Sequence, residues 1–148
     1  MKLQAPGKAL VAKAKNIVSI GDSKYFVTNK GPITLWADAE NNLSGRITIG
    51  NYNKFNSQGG RITLAGGLDD GGAAAGITSA AAVASDGFPD GYARGALSGT
   101  ALGANTGVFI GSRNVFTANG ANIFIAGQGS QSGTATQVES GVFIKSSS

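Results

Sequence analysis

The chain has no cysteine and no histidine in 148 residues. Without cysteine there is no disulfide framework, no thiol nucleophile and no thiolate metal site. Without histidine, imidazole zinc sites and His-dependent acid–base catalysis are excluded as well. Charge is also scarce, at 14 % of residues against the usual ~25 %. The solvated surface must therefore be built from Asn, Ser, Thr and Gln. Tryptophan occurs once and proline three times. No run approaches the ~20 apolar residues of a membrane-spanning helix, so no membrane insertion is expected. Leu10-Val11-Ala12 is too short for the core of a secretory leader, and Lys13 and Lys15 break the apolar run immediately after it.

Glycine is plentiful, at 24 residues, more than twice the usual ~7 %. It follows no G-X-Y period, which excludes collagen. Recurrent β-branched triplets argue against disorder. The net charge of +4 is uneven: Lys2, Lys8, Lys13, Lys15, Lys24 and Lys30 supply half of the 12 basic residues. A basic arm is one reading of that segment. Lysines on the solvent face and exposed edge of a first strand are the simpler one. No nucleic-acid partner is expected.

The dominant signal is a repeated phrase. Ile49-Gly50 is followed by Phe55, Gly60 and Ile62-Thr63-Leu64. The same order occurs upstream as Ile20-Gly21, Phe26, Gly31 and Ile33-Thr34-Leu35, and downstream as Ile110-Gly111, Phe116, Gly120 and Ile123-Phe124-Ile125. Val142-Phe143-Ile144 begins a further copy, cut off in mid-phrase by Ser146-Ser147-Ser148. The chain is expected to be a piece of something longer.

Strand side chains alternate faces, so each triplet points two apolar residues one way and its centre the other. Triplets this short make marginal hairpins. Stacked in parallel on their copies they form ladders, with Ile33 near Ile62 and Leu35 near Leu64. The expected fold is all-β, a parallel β-solenoid of about three to four coils. Phe26, Phe55 and Phe116 should form a core column, while Phe109, Phe124 and Phe143 should face outward or touch an insertion. Asn51, Asn53, Asn114 and Asn119 are expected to make turn hydrogen bonds. The chain reads as one segment: 1–15 irregular or capping (a strand or a short helix), 16–65 coils, 66–106 a Gly/Ala/Asp-rich insertion leaving the wall, and 107–148 coils. A shorter excursion spans Gly127 to Ser140.

The G-x-I-T-L triplets, Ile62-Thr63-Leu64-Ala65-Gly66-Gly67-Leu68-Asp69-Asp70-Gly71 and Asp86-Gly87-Phe88-Pro89-Asp90-Gly91-Tyr92-Ala93 resemble the passenger regions of filamentous-haemagglutinin-like adhesins, exported by two-partner secretion. The resemblance covers residues 16–145. It implies a right-handed parallel β-helix, secreted to a bacterial cell surface and working as a stalk or adhesive fibre. A glycan or protein receptor and self-association through exposed end coils are the partners it leaves open. It brings no catalytic residues, and no enzymatic activity is expected.

Asp69, Asp70, Asp86 and Asp90 are four of 8 acidic residues, all within the insertion. Glycine-bent, oxygen-rich loops suit Ca²⁺, which takes roughly six to eight oxygen ligands. These four are the candidate metal ligands, although the D-x-D-x-D opening of calcium loops is missing. The competing reading is that each Asp caps a turn beside Gly. Paired carboxylates also serve glycoside hydrolysis, but Trp36 is the only tryptophan available to line a glycan cleft. A carbohydrate-binding or carbohydrate-active β-helix is the second reading, and an end-stacking filament subunit the third. Asn42-Leu43-Ser44 matches an N-glycosylation acceptor.

Overall fold

Apolar triplets bounded by Gly, Asn and Asp become the strands. A computed structural model describes residues 5–69, 86–95, 105–130 and 140–146. The regular structure within them is entirely β. The chain enters on β1 (Leu10–Lys13), then runs through β2 (Val18–Ile20), β3 (Tyr25–Val27) and β4 (Ile33–Ala37). The next pass is β5 (Ile47–Ile49), β6 (Lys54–Asn56), β7 (Ile62–Gly66) and the short β8 (Ala93–Arg94). It is followed by β9 (Val108–Ile110), β10 (Val115–Thr117), β11 (Ile123–Ile125), β12 (Gly127–Gln128) and β13 (Val142–Ile144).

Each strand pairs in parallel with its copy on the neighbouring pass, never with the strand next to it in sequence. Sheet I is ordered β2-β5-β9-β13, sheet II β3-β6-β10 and sheet III β1-β4-β7-β11, while β8 and β12 form a two-stranded fourth. This is the architecture of a parallel β-solenoid with three walls. Register follows the repeat: Ile33 lies opposite Ile62 and Leu35 opposite Leu64, with Ile62 opposite Ile123. Residues 10–13, read as strand or capping helix, are a strand at the edge of sheet III. Its Lys13 ammonium sits 3.5 Å from the Trp36 ring centroid, and Lys15 pairs with Glu40 at 2.5 Å.

Ile33, Leu35, Ile47, Ile49, Ile62, Leu64 and Val108 are sealed inside the tube. Burial of each contributes about 1.5–3 kcal/mol, realised only when neighbouring passes are in place. Phe26, Phe55 and Phe116 stack with centroids 5.0 and 4.9 Å apart, the expected core column. Over β4 and β7 the outer face of sheet III is closed as well. Thr34, Trp36, Thr63 and Ala65 alternate with the inward residues yet are all buried, and the Trp36 indole N–H donates to the Gly67 carbonyl at 2.7 Å. Thr34 and Thr63, at the outward-pointing triplet centres, are therefore shielded from solvent.

Two of the three corners are constant in length. Sheet I passes to sheet II through residues 21–24, 50–53 and 111–114, and sheet II to sheet III through 28–32, 57–61 and 118–122. Ser23, Tyr52 and Arg113 occupy equivalent places in the first corner, with φ of 56, 60 and 58°. In the second, a Cβ on Gly60 would run into the Gly31 carbonyl of the neighbouring pass, so glycine is required there by close approach.

The asparagines at the first corner do more than shape local turns. Asn53 Oδ1 accepts from Lys24 N–H one pass away at 2.7 Å, and Asn114 Oδ1 accepts from Asn53 N–H at 2.8 Å. Asn51 Oδ1 accepts from Ser112 N–H at 2.9 Å, and Asp22 Oδ1 from Asn51 N–H at 2.6 Å. The side chains thus continue the inter-strand ladder around the bend. Asn53 is fully buried, so Asn53→Ala leaves the Lys24 N–H without this acceptor. A loss of about 1–3 kcal/mol in urea unfolding is expected. A change within error would show that water serves the corner equally well.

Candidate functional site at the loop corner

Every change in loop length falls at the third corner, from sheet III to sheet I. The connections there are 14–17, 38–46, 67–107 and 126–141. Insertions confined to one face of a repeat array are where binding surfaces are built.

The long insertion is closed at its neck. Gly91 N–H donates to Gly66 O at 2.8 Å, and Asp90 N–H to Leu68 O at 2.9 Å. Asp69 then clamps the returning limb, Oδ1 accepting from Asp86 N–H and Oδ2 from Gly87 N–H, both at 3.0 Å. Asp86 Oδ1 accepts from Phe88 N–H at 2.9 Å. The Arg61 guanidinium lies 4.2 Å over the Phe88 ring and 5.8 Å from that of Phe124, with Asp86 Oδ2 3.7 Å away. This ion pair is partly solvated and contributes little by itself. Arg61 nonetheless fastens the insertion to the outer face of sheet III. Phe124 is thus linked to the insertion only through Arg61, whereas Phe109 and Phe143 stack on each other at 5.6 Å.

Of the four candidate calcium ligands, Asp69 and Asp86 are brought together: Asp86 caps its own turn through Phe88 N–H, whereas Asp69 holds N–H groups 17 and 18 residues away. Asp90 contributes its backbone to the neck, and Asp70 lies outside the described residues. Among the described residues no group of three or more metal-ligating side chains converges. The stretch 80–84, a candidate helical turn, also lies outside them.

Beyond the neck the chain rejoins the wall sooner than the sequence implies. Composition extends the insertion to residue 106, but Ala93–Arg94 is already a strand paired with Gly127–Gln128. The shorter excursion from Gly127 likewise begins in the wall. A two-residue strand carries no readable alternation, which hides it from pattern analysis.

Arg94 is the centre of this rejoining. Its backbone forms an antiparallel bridge with Gly45, Arg94 N–H to Gly45 O at 2.6 Å and Gly45 N–H to Arg94 O at 3.3 Å. Its guanidinium donates to Gln128 Oε1 and lies 3.6 Å from Asp38 Oδ2. Asp38 is wholly buried, left-handed at φ 48°, and accepts from Asn42 N–H through Oδ1 at 2.9 Å. Burial pushes the Asp38 carboxyl above its usual value, against the backbone N–H groups of Asn42 and Ser44, the Arg94 charge and the Leu43 N–H. One arginine thus ties together the three longer loops of the corner. No local spacing announces that Asp38, Arg94 and Gln128 belong together.

Comparison with protein-family models, curated proteins and solved structures finds no match.

Proposed function

We propose that this chain is a rigid segment of a secreted, cell-surface fibre or adhesin, a right-handed parallel β-helix of about three to four coils. Right-handedness follows from the strong preference of parallel crossover connections. The observation that carries the reading is the segregation of loops: two corners repeat without length change, and all variation is gathered at the third. A stalk needs the constant corners for continuous ladders. A receptor-binding function needs a place where length and sequence vary freely, and glycans or extracellular proteins are the ligands that such a face would meet.

The test is to replace residues 69–91 by a short Gly-Ser link. Binding to arrayed glycans and extracellular-matrix proteins is then compared with the parent, with and without calcium, alongside solution scattering. The expected result is an unchanged rod with lost binding. Unaltered binding, or no binding by the parent, would overturn the adhesive part.

A second reading, end-to-end assembly, is favoured by one observation. Ile123, Val142 and Ile144, at inward register positions on the last strands, are 44, 39 and 65 % exposed, and open strand edges template pairing. Sedimentation that grows with protein concentration would support this reading.

A further inference from the structure

Asn42 is the only asparagine in the chain followed two residues later by Ser or Thr. A sequence match alone is weak, because a buried or wall-bound asparagine cannot serve as an acceptor. Asn51, Asn53 and Asn114 illustrate the point, since their side-chain amides are built into the inter-pass ladder. Asn42 is placed differently. It lies in the 38–46 loop at the variable corner, where Asn41, Asn42 and Leu43 are all exposed and Leu43 is 52 % exposed. Left-handed φ values of 52° at Asn41 and 67° at Leu43 flank Asn42 in this turn.

The loop is held at both ends. Asn42 N–H donates to buried Asp38 at 2.9 Å, and Gly45 is bridged to Arg94. Between these anchors Asn42 Oδ1 accepts from Ser44 N–H at 3.1 Å, which turns the amide back over the serine. Asn42 Nδ2 makes no hydrogen bond among the described residues. The acceptor nitrogen and the serine required two residues on are therefore displayed together, on a fixed and solvated turn.

We propose that Asn42 is an N-glycosylation site accessible in the folded protein. Its Nδ2 forms a C–N bond to C1 of an activated sugar. The C1–O bond to the donor's diphosphate breaks, the diphosphate leaves with the electron pair, and one proton is lost from Nδ2. The co-reactant is a nucleotide- or lipid-diphosphate sugar. A glycan here would stand beside the insertion on the same corner, without touching the ladders.

The experiment uses the folded 148-residue chain, a soluble glucosyltransferase that recognises Asn-x-Ser/Thr, and UDP-glucose. Intact-mass and peptide analysis provide the readout, with a peptide spanning 38–46 as a parallel acceptor. The expected result is one hexose on Asn42 of the folded chain at a rate comparable to the peptide. It should be lost in Asn42→Gln and Ser44→Ala and retained in Ser44→Thr. Circular dichroism of the variants should be unchanged, because Asn42 is exposed and Ser44 half-exposed. Modification of the peptide alone would mean that the fold hides the site. Modification of neither, or a hexose persisting in Asn42→Gln, would equally overturn the proposal.

Discussion

Ile62→Asp is expected to leave the chain unfolded at neutral pH. Ile62 is wholly buried, stacked between Ile33 on one side and Ile123 on the other. Truncation to Ala at such a site costs about 2–5 kcal/mol. A carboxylate adds the penalty of an unpaired charge in an apolar interior. Total stabilities of about 5–15 kcal/mol leave little room for both. The effect should spread, because loss of β7 removes the surface on which β4 and β11 each bury their inner faces. Far-UV circular dichroism and urea unfolding of Ile62→Asp, Ile62→Ala and Ile62→Val make the test. The order of loss should be Asp, then Ala, then Val, the last costing about 0.5–1.5 kcal/mol. A soluble, cooperatively folded Ile62→Asp variant would sink the ladder assignment.

The ladders were legible because identical residue types recur in the same order. Once Ile33-Thr34-Leu35 is aligned with Ile62-Thr63-Leu64, register follows from strand alternation alone. The phenylalanine column was legible for the same reason. The roles of Asn51, Asn53 and Asn114 were half legible. Their composition reads as turn, but the recurrence of Asn53 as Asn114, and of Asp22 as Asn51, at the repeat spacing was the signal that they bond from pass to pass. The burial of Thr34 and Thr63 was hidden, because a triplet's centre looks polar and solvent-facing until something covers it. Arg61 was hidden likewise, since nothing in Gly60-Arg61-Ile62 indicates that its guanidinium will lie on Phe88. The candidate calcium ligands show the reverse. Their sequence clustering was plain, yet Asp69 is engaged with the N–H groups of Asp86 and Gly87. Only Asp86, beside Gly87, serves the local turn use that this pairing has.

The loop corner should fail most sharply at Arg94. Replacing it with Leu keeps most of the apolar volume and removes the charge facing Asp38. Breaking a buried pair from one side costs about 3–5 kcal/mol, because the remaining charge has lost its compensation. The loss should depend on pH in a direction set by Asp38. Its folded-state carboxyl value is raised by burial, so folding favours the protonated form. The associated stability is complete below the unfolded value of about 3.9 and is lost as pH rises through the folded value. In the parent, Arg94 offsets part of that loss at neutral pH, and in Arg94→Leu it does not. Urea unfolding should therefore show the variant furthest below the parent near pH 7, with the gap narrowing as pH falls toward about 4. Adding Asp38→Asn to Arg94→Leu should recover a large part of the neutral-pH loss, since no charge is then left buried. A gap independent of pH, with no recovery in the double variant, would mean that the guanidinium acts through packing and its contact to Gln128. If the gap narrows as expected, Asp38 is what requires the insertion to return to the wall at residue 94, and the loops of this corner are fixed relative to one another.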